Sequence, residues 1–349
     1  MMDKRIVELD KRIVDLLAER CKIQIEELKS LPPGEDLFSA ARAKELSSFL
    51  ESLDTGPLSH ELVKKIFTDL SAFSVSAVRP PAVAYLGPEG TFTHSAMLEV
   101  FGVSAAGIPV KSIHDVFVEV ETGRADYGVV PVENSTEGAV TYTLDELMET
   151  ELKITAEKYL RVSYSLVSVS KDIKSIKKLY SHPQSFGQCK EWLRKNLPDA
   201  EMHNVSSTSL AAETASWDKF AAAVTSHASA EIYGLNVLAT NIEDSRQNYT
   251  RFFVIGEHDN PPSGRDKTSI ICAVRDKPGA LYDLLRPFNE TGINMTKIES
   301  RPDKKKMWEY NFFIDFIGHR DSTIALSAVE KMKEDLIFLK ILGSYPAEK

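Results

Sequence analysis

The residues able to do chemistry gather in three short clusters, each placed where an apolar run ends. Asn248-Tyr249-Thr250-Arg251-Phe252-Phe253 sets a hydroxyl, a guanidinium and aromatic rings in succession, and Pro131-Val132-Glu133-Asn134-Ser135 adds a carboxylate, an amide and a second hydroxyl. Gly87-Pro88-Glu89-Gly90-Thr91-Phe92-Thr93 joins an apolar strand to a helix. Its two glycines permit a tight turn that aims free N–H groups and the helix dipole at an anion, and Thr91 and Thr93 bring hydroxyl donors. Ser181-His182-Pro183-Gln184 follows the same logic, with Pro183 suited to the first helical position and Ser181 or His182 to the cap. Two such helix starts would hold two carboxylates. Arg251 has two readings, a clamp on a substrate carboxylate or an internal ion pair that fixes its own loop. Open α/β sheets bind ligands at the ends of strands, so the clusters point to a small anion in a cleft.

The elements that must position these groups follow from periodicity and composition. At 349 residues the chain has room for two or three domains of about 150 residues each. From Ile6 to Leu28 apolar residues recur at helical spacing, a second helix runs from Leu37 to Leu53, and a third follows Ser59 as N-cap. This module, residues 1–79, is small for a monomeric core, so pairing with a second copy is expected. After Arg79-Pro80-Pro81 the pattern changes to short buried strands and helices, and residues 82–257 read as a two-lobed α/β unit with a cleft. The stretch from Ile154 to Val169 would cross between the lobes. Beyond a Pro/Gly-rich linker, residues 266–345 show the order βαββαβ, which is ferredoxin-like.

The formal net charge of -9 disfavours nucleic acid or an acidic membrane as partner. Cys21, Cys189 and Cys272 are far apart, odd in number and without C-x-x-C spacing, and the eight histidines form no H-E-x-x-H motif. Neither metal nor cofactor is therefore expected, and the thiols read as reduced and buried. Met1-Met2-Asp3-Lys4-Arg5 opens straight into a charged amphipathic helix with no apolar leader, so a cytoplasmic protein is expected. No G-x-S-x-G elbow is present.

Taken together, the three clusters resemble those of the prephenate dehydratase family. The resemblance implies a multidomain chain with a periplasmic-binding-protein-like catalytic unit that converts prephenate to phenylpyruvate. The ring hydroxyl leaves together with carbon dioxide, and aromatisation drives the step. The protein must hydrogen-bond or protonate the leaving hydroxyl, hold the carboxylates and dry the one that departs. In the family the threonine of Thr-Arg-Phe is most closely tied to catalysis, which carries over to Thr250. A threonine is a poor acid, so Thr250 is expected to donate a hydrogen bond, with Glu133, Asn134 and Gln188 orienting it or relaying a proton. Asn134, Ser181 and Gln188 carry over at matching positions. Thr91, Thr93, Ser135, Ser181, Arg251 and Phe252 are expected around the substrate, with Phe92 and Phe252 making the cleft apolar. At Ser206-Ser207-Thr208-Ser209 some relatives carry an acid at the first position, so no carboxylate role transfers there. Arogenate dehydratase is the alternative enzyme, and an amino-acid sensor built on the same lobes is the alternative of another class.

Two further likenesses frame the ends of the chain. Pro278-Gly279-Ala280-Leu281-Tyr282 and Ile298-Glu299-Ser300-Arg301-Pro302 look like the phenylalanine-binding motifs of ACT domains, which implies an effector site at Gly279, Ala280, Leu281, Asn294, Glu299, Ser300 and Arg301, feedback by phenylalanine, and a homodimer or homotetramer. Leu16-Leu17-Ala18-Glu19-Arg20 and the three-helix layout resemble the helical chorismate mutase module, with Arg20, Arg42 and Ser74 at matching positions. Asp3, Leu31, Ala43 and Val78 stand where that family has an arginine, a lysine, an acid and a glutamine. Without the lysine and glutamine the developing charge on the chorismate ether oxygen lacks donors, so mutase activity is expected to be weak or absent, although a bifunctional enzyme is the alternative.

Overall fold

The computed structural model describes residues 3–32, 37, 40–275, 277–302, 310–333 and 336–348. Pro33 and Gly34 of the first helix breaker, Phe38, and the expected element ends Glu309 and Asp335 lie outside them. The N-terminal module consists of α1 (Lys4–Lys29), α2 (Ala40–Glu51) and α3 (His60–Val78). Asp3 and Ser59 cap α1 and α3 by accepting the N–H groups of Arg5 and Leu62. Short polar side chains do this at helix starts, so Asp3 serves helix initiation where a mutase would spend an arginine.

The central unit begins with β1 (Ala82–Leu86), α4 (Phe92–Phe101), β2 (Ala106–Val110), α5 (Ile113–Glu121), β3 (Tyr127–Asn134), β4 (Gly138–Ala139), α6 (Thr141–Glu149) and β5 (Lys153–Arg161). It continues through β6 (Ser165–Ser168), β7 (Lys178–Ser181), α7 (Pro183–Gln188), α8 (Lys190–Asn196), β8 (Glu201–Asn204), α9 (Thr208–Ala215), β9 (Ala221–Thr225), α10 (His227–Ile232) and β10 (Asn236–Thr240), and returns with β11 (Tyr249–Gly256). One lobe is the sheet β2-β1-β3-β11-β5 with β4 at its margin, and the other is β10-β6-β9-β7-β8. The chain crosses between the lobes after β5 and before β11. The crossings lie side by side, the Val162 N–H donating to the Asn248 carbonyl at 2.8 Å. Both sheets are mixed, because β11 runs antiparallel to its neighbours β3 and β5 in the first, and β6 antiparallel to its neighbours β9 and β10 in the second.

The C-terminal unit is β12 (Asp266–Val274), α11 (Ala280–Thr291), β13 (Met295–Pro302), β14 (Tyr310–Ile317), α12 (Thr323–Lys333) and β15 (Leu336–Pro346). Its sheet order, β13-β14-β12-β15, is that of a ferredoxin-like fold.

Strand β11 is the wall between two cores, because successive side chains of a strand face opposite ways. Phe252 and Val254 join Val83, Tyr85, Met97 and Val129 under α4. Phe253 and Ile255 face the other way, into a core shared with Ile271, Phe313, Leu342 and Tyr345 of the C-terminal sheet. Burying each phenylalanine contributes about 1.5–3 kcal/mol, so the first lobe and the C-terminal sheet are welded along this strand. Among the described residues no helix is long and apolar enough to cross a membrane.

Candidate active site

Thr250 and Asn134 are register partners across β11 and β3. The ladder is irregular just beyond them: Arg251 pairs with Glu133 but Phe252 pairs with Pro131, so Val132 is the extra residue of a bulge. Bulges re-aim side chains beside active sites. Here the bulge puts Asn134 on the same face as Thr250 and leaves Glu133 with Arg251 on the other.

The orientation of the Thr250 hydroxyl follows from two backbone groups. The N–H groups of Thr136 and Glu137 donate to Asn134 Oδ1 at 3.0 and 3.2 Å, and the Thr136 hydroxyl does so at 2.6 Å. Backbone N–H groups can only donate, which fixes the amide flip and turns Asn134 Nδ2 toward Thr250 Oγ1 at 2.8 Å and Asn248 Oδ1 at 2.9 Å. Thr250 therefore accepts from Asn134, and its own proton is left to donate. Asn248, 2% exposed, then donates to Gln188 Oε1 at 2.9 Å, and Gln188 Nε2 donates to Thr136 Oγ1 at 3.3 Å. The ring Asn134–Asn248–Gln188–Thr136 closes on itself at the lobe crossing. Gln188 belongs to the second lobe, so lobe position and hydroxyl direction are coupled. Asn248 and Thr136 were not expected in the site; a polar Asn248 at the mouth of an apolar strand was the only signal, and its partner lies sixty residues away.

The Gly87–Thr93 loop of the first lobe is clasped by helix starts of the second. Ser226 and Ser229 hydroxyls donate to the Gly90 carbonyl at 2.7 and 2.9 Å, and Ser209 donates to that of Glu89. Gly90 has φ +83° and a Cβ there would lie 2.6 Å from Ser229 Oγ, so only glycine fits. Thr91 is used locally, capping α4 at the His94 N–H and donating to the Leu86 carbonyl at 3.1 Å. Thr93 is buried in the first turn of α4. Phe92 meets Tyr164 of the second lobe edge-on, with ring centroids 5.5 Å apart.

His94 Nδ1 accepts the Gly90 N–H at 3.1 Å, which requires a neutral ring nitrogen. Burial holds the imidazole below its ordinary value of 6.5, against a weaker upward pull from Glu89. A histidine with a depressed folded pKa stabilises the fold above its unfolded pKa and loses that contribution as pH falls. The loop is thus expected to loosen below pH 6.5, lowering kcat/KM on the acid side, and His94→Gln should flatten that limb; an identical acid limb in the variant contradicts the assignment.

Several expected site residues stand elsewhere. Arg251, 3% exposed, faces the C-terminal sheet: its guanidinium reaches Glu157 at 2.7 Å, Asp315 at 2.5 Å and the Tyr345 hydroxyl at 3.0 Å. Lys267 meets the same Glu157 at 2.7 Å. Burial by itself disfavours the guanidinium charge, yet the surrounding groups hold its pKa above the ordinary value. Of the two readings of Arg251, the ion pair is the one present. Glu133, expected as a relay, pairs with Lys297 of β13 at 2.9 Å on the face away from Thr250. Phe252 lies in the core under α4, 1% exposed. Ser181 donates to the Val224 carbonyl at 2.6 Å and is fully buried. Ser135 bridges the ends of β3 and β11, donating to the Gln247 carbonyl and accepting the Tyr249 N–H, both at 3.0 Å. These two serines secure strands. His182 caps α7 at the Gln184 N–H, so that helix start is already occupied by a local acceptor.

The effector-motif residues divide between two faces. Gly279 takes φ +83° before α11. Leu281, Asn294 and Ser300 are exposed and Ala280 is half-buried, whereas Glu299 and Arg301 alternate inward. Arg301 does not face solvent with Ser300 but meets Asp145 of α6 at 2.9 Å. In the helical module Arg20 and Arg42 line a cavity of about 700 Å³ together with Gln24, Ala43, Ser71 and Val75. Ser74 does not reach it, since its hydroxyl turns back to the Leu70 carbonyl at 3.0 Å.

The prephenate dehydratase family profile matches residues 83–260 and the ACT domain profile residues 268–334. A bifunctional chorismate mutase/prephenate dehydratase of Aquifex aeolicus is 46% identical, covering 98% of this chain and 96% of that protein. A prephenate dehydratase of Mycobacterium marinum is 35% identical over 76% of this chain and 88% of its own length. Among solved structures, the prephenate dehydratase of Arthrobacter aurescens in complex with L-Phe superimposes with a TM-score of 0.71 at 33% identity, covering 76% of this chain and 90% of that one. A protein described as a novel type of quorum quenching acylase superimposes equally well, with a TM-score of 0.71 at 27% identity over 76% of this chain and 98% of its own. One fold thus carries two named activities, and the chemistry rests on the site residues. With a dehydratase profile over its central unit, an ACT profile behind it and a full-length relative in front of both, the chain belongs to the prephenate dehydratase family.

Proposed function

We propose that the chain converts prephenate to phenylpyruvate, with Thr250 donating a hydrogen bond to the departing ring hydroxyl. The supporting observation is the Asn134 amide, which accepts two backbone N–H groups and so leaves Thr250 a proton to give. Asn134 spends its hydrogen bonds within the protein, so it positions Thr250, and Asn248, Gln188 and Thr136 position Asn134. Apolar walls including Phe92 favour loss of the carboxylate as carbon dioxide. The catalytic unit is residues 82–257, the regulatory unit 266–345 and the helical unit 1–79. The protein works in the cytoplasm.

Phenylalanine is the feedback effector, bound at the exposed face of β13 and the Gly279 turn. The helical unit serves assembly: Ile6, Leu9, Ile13, Leu16 and Ile23 of α1 and Phe73 of α3 are each at least half exposed, an apolar stripe suited to a second copy of the chain. The cavity beside it has Arg20 and Arg42, but Leu31 and Val78 stand where mutases have a lysine and a glutamine, which supports weak or absent mutase activity. Rates measured with chorismate and prephenate side by side test the proposal. Phenylpyruvate should form from prephenate and not from chorismate, from a particle of at least twice the 38.9 kDa chain mass by light scattering. No turnover of prephenate would refute it, and robust turnover of chorismate abolished by Arg20→Ala would restore the bifunctional reading.

A further inference from the structure

The side chains of β13 alternate between solvent and the catalytic unit. Thr296, Ile298 and Ser300 are exposed on this edge strand, and Lys297, Glu299 and Arg301 turn inward. Two of the inward residues reach the dehydratase unit directly. Lys297, its side chain 10% exposed, meets Glu133 at 2.9 Å. Arg301 meets Asp145 at 2.9 Å, while its buried Nε has no hydrogen-bond partner. Glu133 directly precedes Asn134, the residue that sets the direction of the Thr250 hydroxyl. On the neighbouring strand Arg251, the register partner of Glu133, is held by Asp315 and Tyr345 of the same C-terminal sheet. Each of the two strands that carry the catalytic pair is therefore tied, one residue away, to the regulatory sheet.

The two ties differ in what they can transmit. Arg251 sits among Glu157, Asp315 and Lys267 in a fully buried, charge-balanced cluster with Tyr345. Such a cluster is rigid and suits a pivot. The Lys297–Glu133 pair is less enclosed, the Glu133 side chain being 39% exposed and that of Lys297 10%, so it is the looser of the two ties. It also comes from the strand whose outer face carries the effector motif. We propose that β13 is the transmission element and that Lys297 is its link to the catalytic unit, needed for the response to effector and not for basal turnover: an amino acid bound on the outer face shifts β13, Lys297 carries the shift to Glu133, and the Asn134–Thr250 pair is misaligned. Arg301 and Asp145 move α6 with it. This rests on the phenylalanine-feedback reading above.

The test compares the full-length chain with Lys297→Met, reading phenylalanine binding by calorimetry, prephenate turnover, and hydrogen exchange in β3. Wild type should lose about tenfold in turnover at saturating phenylalanine, a middling allosteric coupling, and show altered exchange over residues 127–134. Lys297→Met should bind phenylalanine and keep its effector-free turnover, yet lose less than about twofold on saturation, with β3 exchange no longer responding. Lys297→Arg should behave as wild type. Inhibition and a β3 response in Lys297→Met equal to those of wild type overturn the tether. Wild-type turnover that ignores bound phenylalanine sinks the feedback reading alone, since the β3 response still decides the tether. A wild-type chain that binds no phenylalanine overturns both.

Discussion

Thr250→Val lowers kcat for prephenate by about 10²–10³-fold, the usual cost of losing one donor aimed at developing negative charge. Valine keeps the β-branch that suits β11 and the volume of a site that is 8% exposed, so the change removes the hydroxyl with little else. The lost interaction grows as the ring C–O bond breaks, because charge accumulates on the leaving oxygen. It contributes little to holding the ground state, and KM should stay nearly constant. The steady-state split between kcat and KM, with thermal unfolding as a control on folding, checks this. A KM effect without a kcat effect would make Thr250 a binding residue and move the chemistry elsewhere.

Arg251→Met is expected to destabilise the joined dehydratase and ACT units by about 3–5 kcal/mol, the cost of breaking a buried ion pair by removing one partner. Glu157 would keep Lys267 and the Glu348 N–H at 3.0 Å, and Asp315 the Ser269 hydroxyl at 2.6 Å, so each buried carboxylate loses its guanidinium partner. The packing of Arg251 against the Phe253 ring, 4.7 Å from guanidinium to centroid, goes too. Denaturant unfolding followed separately in the two units should show both shifting, because the cluster joins them. In whatever fraction stays folded, KM for prephenate should change little. A substrate clamp predicts the reverse, a KM rise of about 30-fold from the 2 kcal/mol or more that a buried charge partner is worth, with stability preserved.

The arrangement of elements was legible because the local signals agree with the tertiary outcome. Ser59 caps the helix that follows it, and the βαββαβ order appears as periodicity and turn residues alone. The strands from Lys153 to Ser168 do cross between lobes. What stayed hidden was the facing of side chains on β3 and β11. Both strands are buried on both faces, so Phe252-Phe253 and Val129-Val130 show no alternation from which to assign Thr250 and Arg251 to opposite sides. The bulge at Val132 is equally silent in the sequence, and without it Glu133 and Asn134 cannot be told apart as tether and site residue. The same holds on β13, where one contiguous motif divides into Ser300 outward and Arg301 inward. Motif likeness identifies which residues matter; only the pleat shows to which neighbour each one speaks.

The most direct measurement is a crystal structure of the full chain with a stable mimic of prephenate bound. Thr250 Oγ should lie about 2.7–3.0 Å from the mimic's ring hydroxyl, with Asn134 Nδ2 still on Thr250 and Arg251 unmoved between Glu157 and Asp315. A mimic whose hydroxyl lies out of hydrogen-bond reach of Thr250, with Arg251 turned out of its cluster onto a ligand carboxylate, would contradict this.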